Sequence, residues 1–187
     1  MIHGTISVDG RERTYRLYVP STLPSDPAPL FIGLHGGTGW GDQFAQTNHV
    51  EGLAESNGFI TVHPDGLKVA SGPGGVWNGA DTNLPLAGGV GPDSIAGVDF
   101  PVPRAGFDQI AVQQACPVPT TSTIGDVTVA SSEPCAGDAA MEFVTIESAN
   151  HAWPGGTPRL TPASGPGYAG YDATSEIVAF LLAHPRA

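Results

Sequence analysis

Three short stretches of this chain hold side chains suited to chemistry at an acyl carbon. His35-Gly36-Gly37 ends an apolar run, and glycines there let backbone N–H groups face a small anion with no Cβ in the way, as an oxyanion hole requires. Asp81 sits in "GADTNLP", where a carboxylate on a tight turn is placed to orient an imidazole. His151 sits in "SANHAWPGG", at the end of an apolar run and in front of Trp153-Pro154-Gly155, a position that suits a general base. Each stretch has an ordinary alternative. Two glycines serve many strand-to-helix turns, Asp-Thr-Asn is common turn chemistry, and a lone histidine is more often structural. The order of the three along the chain, anion-binding loop, then acid, then imidazole, is what ties them together.

The elements that would have to position these groups follow from periodicity. "GTISVDGRERTYRLYVP" alternates around Asp9-Gly10, with Tyr15, Leu17 and Val19 on one face, and predicts a hairpin. "PLFIGLHGG" predicts a short strand buried on both faces, and "FITVHPDG" a second. Between them, "GDQFAQTNHVEGLAESNG" predicts one helix with Asp42 as its N-cap, a stripe of Val50, Leu53 and Ala54, and Gly58 as its stop. Strand, helix, strand in that span is a βαβ unit with its strands parallel. From Leu67 to Gly97, glycine, proline and small polar residues replace the pattern. "FDQIAVQQA" then predicts a helix, "MEFVTIES" a strand, and "TSEIVAFLLAH" a closing amphipathic helix.

At 187 residues and 40% hydrophobic content, the chain is long enough for one filled core and short for two, so residues 1–187 are expected to form a single domain. Eighteen acidic against seven basic side chains give a net charge of −11, which opposes binding to nucleic acid or to an anionic membrane surface. No apolar run reaches the roughly 18 residues of a membrane span. "MIHGTISVDG" lacks the basic and apolar regions of a signal peptide. The six histidines are scattered with no i, i+4 pair, so neither a metal nor another cofactor is expected. Cys116 and Cys135 are the only cysteines, enough for one disulfide or for two free thiols.

"VDGRERTYRLYVP", "PLFIGLHGG", "LAESNGFITVHPDG", "GGVWNG", "ADTNLPLAGGVG" and "NHAWPGG" together resemble the secreted polyhydroxybutyrate depolymerase and feruloyl esterase family of α/β-hydrolases. The resemblance covers both ends of the chain and most of its length. It implies an α/β-hydrolase-like fold with a mostly parallel sheet flanked by helices. It also implies Ser-His-Asp hydrolysis of small or polymeric carboxylic esters. Carried over residue by residue, it makes His151 the general base and Asp81 its acid, with His35 and Gly36 at the oxyanion site. Trp77 and Asn78 fall at the site mouth, and Trp153 joins them as a candidate substrate contact. The same resemblance implies that Cys116 and Cys135 pair, and that the protein works outside the cell or in its envelope.

The nucleophile is missing. Such a family needs G-x-S-x-G on a turn from strand to helix, and none of the twelve serines has glycine two residues before it. Ser56-Asn57-Gly58 matches half of it but ends a helix, and Ser94 has Pro92 and Ala96 at the glycine positions. Between Asp65 and Asp81 there is no room for another βαβ unit of about 30 residues. An internal deletion near residues 78–81, leaving the fold truncated in the middle, accounts for both facts. Two functions stay open: an esterase impaired by loss of its serine, or a non-catalytic remnant or paralogue that binds polymer or glycan.

Overall fold

The computed structural model describes the chain except for Asp9, Asp26, Thr38, residues 69–73, 78–93, 96–97, 100–102, 158–164 and 186–187. Asp81 and Asn78 lie outside the described residues. The described strands and helices run, in chain order, β1 (Ile2–Val8), β2 (Arg11–Tyr18), β3 (Leu30–Ile32), α1 (Gly41–Asn48), α2 (Val50–Asn57), β4 (Ile60–Pro64), β5 (Leu67–Lys68), β6 (Gly75–Val76), β7 (Ser94–Ile95), β8 (Val98–Asp99), α3 (Pro103–Gln113), β9 (Thr120–Ile124), β10 (Val127–Ser132), β11 (Met141–Ile146) and α4 (Ala173–Ala183). They fall into two compact units, residues 1–83 with 150–179, and residues 84–149 with 180–187.

The first unit is built on a four-stranded sheet in the order β1-β2-β4-β3. Gly10, at φ 72°, takes the left-handed conformation in the turn of the β1–β2 hairpin, which glycine adopts without strain. β2 pairs antiparallel with β4, and only β3 with β4 is parallel. The mostly parallel, α/β-hydrolase-like sheet implied by the sequence is therefore overturned: the sheet is mixed and mainly antiparallel. β3 is also not buried on both faces. It is an edge strand of three residues, with Leu30 and Ile32 exposed.

Register decides what each face presents. His3, Arg16 and His63 lie side by side on one face, and Tyr18, Thr61 and Phe31 form the next row. The helices cover this face, where Val50, Ala54, Phe59 and Val178 form a buried cluster against Tyr18, Phe31 and Leu53. On the opposite face Ile2, Leu17, Val62 and Ile32 form a row across all four strands. There Ile2 is 53% and Ile32 58% exposed, and Ile6, Val8, Leu30 and Leu34 are exposed as well.

The expected single helix is two. His49 is left-handed at φ 56° and separates α1 from α2. Trp40, not Asp42, occupies the N-cap of α1, and Asp42 lies in its first turn. Arg16 ties both helices to the hairpin, with Nε and Nη2 on the two Glu51 oxygens at 2.7 and 2.8 Å and Nη1 on Asp42 Oδ1 at 3.1 Å. Such a bidentate, charge-assisted pair fixes orientation as well as distance.

The second unit holds an antiparallel sheet in the order β11-β10-β9. "MEFVTI" is a strand as expected, and its partner is Val127–Ser132. Phe107 of α3 lies 5.5 Å from Phe143, centroid to centroid. Cys116 and Cys135 form a disulfide, so no described cysteine is free. His184 donates to the Phe180 carbonyl at 2.7 Å and to Glu133 at 3.1 Å; both bonds hold its pKa above the ordinary value. Among the described residues no helix is long and apolar enough to cross a membrane.

Two outcomes follow from this architecture. Reducing Cys116–Cys135, whose partners are 19 residues apart, should lower stability in urea by about 3 kcal/mol. Replacing Ile32 and Leu34 by Thr should reduce self-association in sedimentation experiments, with stability shifted by only about 0.5 kcal/mol per site, because both side chains are already in water.

Candidate functional site

The expected oxyanion loop is held by its own histidine. His35 is 3% exposed, and its Nε2 accepts the Gly66 N–H at 2.9 Å. That leaves Nδ1 as the donor to the Gly36 carbonyl at 2.7 Å, fixing one tautomer. Trp77 closes the loop from outside: its ring lies 4.6 Å from the His35 ring, and its indole N–H donates to the His35 carbonyl at 2.5 Å. Gly39 N–H donates to the Gly36 carbonyl and Gly75 N–H to that of Gly39, so β6 is stitched to the same turn. Gly36 and Gly37 themselves are exposed, with open space where a Cβ would stand.

His151 stands on a loop held by backbone hydrogen bonds yet is itself unengaged. Gly155, at φ 76°, donates to the Tyr168 carbonyl at 2.8 Å, and a Cβ there would meet the Asp172 Cα at 2.7 Å. Thr157 N–H donates to Thr47 of α1 at 3.1 Å, and Ala173 N–H to Pro154 at 3.2 Å. Trp153 packs edge-on against Phe44 at 5.1 Å and donates to Thr174 Oγ1 at 2.8 Å, which makes it an anchor of this loop. His151 is exposed, and no hydrogen bond or ring contact joins it to another described residue. Its expected acid, Asp81, and the neighbouring Asn78 lie outside the described residues.

The structure brings together groups that sequence spacing does not. Thr174 Oγ1 passes the Trp153 bond on to the Asn48 carbonyl at 2.6 Å, and Asn48 Nδ2 donates to His63 Nε2 at 3.2 Å. His63 is fully buried, so its Nδ1 proton has no partner among the described residues. Burial pushes its pKa down to about 4, with smaller opposing contributions from Glu51 and Asp42. Separately, His49 Nε2 lies 2.7 Å from Thr157 Oγ1. This is the one serine or threonine hydroxyl bonded to an imidazole among the described residues. Both partners are exposed, and the neighbouring Asp172 spends its oxygens on Ser175, at 3.1 Å to N–H and 2.7 Å to Oγ. No sequence signal marked either pair, because the partners are 15 and 108 residues apart.

No family model matches the sequence, and no curated protein does. Among the described residues no group of His, Cys, Asp and Glu is arranged to hold a metal.

His63 gives a pH dependence whose sign is fixed. Its folded-state pKa lies below the unfolded value, so it contributes stability that is whole above about 6.5 and lost as pH falls toward 4. Urea unfolding should show about 3 kcal/mol less stability at pH 4 than at pH 7.5 from this group. In His63→Gln, which keeps an acceptor for Asn48, that difference should shrink by the same amount.

Proposed function

We propose that this chain is a non-catalytic member of the polyhydroxybutyrate depolymerase and feruloyl esterase family, one that binds ester polymer without cleaving it. The observation that carries the reading is the isolation of the imidazole: His151 is exposed, and no described serine is hydrogen-bonded to a histidine. Ester hydrolysis by this route needs a hydroxyl within reach of the base and the base held by an acid. Loss of the serine alone costs about 2 × 10⁶ in kcat in subtilisin. What persists is the His35 loop with Trp77 packed against it, a half-exposed aromatic surface beside open glycines. That combination suits contact with an acyl chain or an aromatic acid better than chemistry on either. The disulfide supports a place outside the cell or in its envelope.

Intact mass after treatment with a fluorophosphonate tests the absence of catalysis. The expected result is no adduct on folded protein. An adduct mapped to one serine, or to Thr157, and abolished by His151→Ala or His49→Ala would overturn it. Binding is tested by retention on insoluble polyhydroxybutyrate, expected for the native chain and reduced at least about tenfold in Trp77→Ala, the scale of one lost aromatic contact.

A further inference from the structure

The first unit also contains a cavity of about 240 Å³ lined by His3, Arg16, Trp40, Asp42 and Asp65. It includes none of His35, Trp77 and His151. The cavity's charges are already spent on one another. Arg16 is paired with Glu51 and Asp42, and His3 Nε2 lies 2.8 Å from the same Asp42 oxygen. Asp65 accepts the Gly41 N–H at 2.7 Å and the Thr14 hydroxyl at 2.6 Å.

The lining side chains keep a mixture of single donors and acceptors. Arg16 has five N–H groups, of which three are engaged. Asp42 Oδ2 and the Trp40 indole N–H have no partner among the described residues, and Trp40 is 37% exposed. A charged ligand fits this lining poorly, since an anion meets two carboxylates and a cation meets Arg16. A hydroxyl both donates and accepts, so vicinal hydroxyls match such a lining without adding charge. The indole supplies an apolar face for the C–H side of a ring. The volume falls below the roughly 300–1,000 Å³ of pockets for drug-sized ligands, which suits an occupant the size of one ring.

We propose that this cavity is a monosaccharide-binding site, in which a neutral sugar ring lies against Trp40 while Asp42 and Arg16 hold adjacent hydroxyls. The inference stands apart from the ester-binding reading, because it uses neither the His35 loop nor His151.

The test is an amide NMR titration of the full chain with glucose, galactose, xylose and arabinose. At least one sugar should give saturable shifts at His3, Gly41 and Asp42, with a Kd of about 1 mM, the range set by a few hydrogen bonds and one stacked face. Trp40→Ala and Asp42→Asn should each weaken binding about tenfold, and Trp40→Phe, which keeps a ring and loses the N–H, by less. Val112→Ala, on the exposed face of α3, should leave it unchanged. Each variant is scored only with native amide dispersion, and Trp40→Phe with Asp42→Asn decide the matter where Trp40→Ala does not fold. No saturable shift with any of the four sugars would overturn the proposal. Shifts confined to other residues, or equal affinity in the folded variants, would overturn it too.

Discussion

The first unit depends on one buried amide. Asn48, 2% exposed, donates to His63 on β4, lends its Oδ1 to the Val50 N–H that starts α2, and through its carbonyl accepts Thr174 at the start of α4. Thr174 in turn accepts Trp153 and so holds the loop that carries His151. A sheet, three helices and a loop therefore share one reference point. Leaving any one of these buried groups unpaired would cost about 1–3 kcal/mol. The left-handed turn at His49 follows from the same arrangement: the chain breaks one helix and begins another while Asn48 stays in place for its partners on both sides.

The sheet faces show the cost of that design. The helices cover the face that carries His3, Arg16, Thr61 and His63, so its packing depends on ion pairs and buried polar contacts as much as on the small cluster around Val50. On the more apolar face the outer residues Ile2 and Ile32 meet solvent, and Leu17 and Val62 between them are half-buried. A β-sheet in water normally hides its apolar side. Among the described strands β3 is an edge next to that side, which joins the two ordinary causes of sheet association in one place.

Local elements were legible in the sequence and their assembly was not. The hairpin around Gly10, the β3-to-β4 unit with its helical crossover, α3, β11 and α4 all follow from the alternation or the 3.6-residue spacing of their apolar residues. The pairing of "MEFVTI" did not, because apolar run length says that a strand is buried, not which strand lies beside it. Its partner was detectable in part: "TSTIGDVTVASS" places Gly125-Asp126 between two β-branched runs, which is a hairpin signal. The break at His49 carries no glycine or proline to announce it. Of the candidate site, the His35 turn was recognisable from its glycines, while the roles of Trp77 and Gly66 in holding it depend on contacts 42 and 31 residues away.

A hydroxyl beside an imidazole is not sufficient for covalent catalysis, and Thr157 with His49 shows why. The pair has the distance a nucleophile and base need, yet among the described residues no acid is hydrogen-bonded to His49, and Asp172 caps α4 through Ser175. Water reaches both side chains, so charge developing at Thr157 would be solvated by bulk solvent instead of fixed dipoles. His35 has the opposite condition: it is buried and fully hydrogen-bonded, with both nitrogens committed to backbone groups, and so has no free site from which to move a proton. Among the described residues the first unit thus separates what ester cleavage must combine: a reachable hydroxyl, an oriented base and a dry anion site.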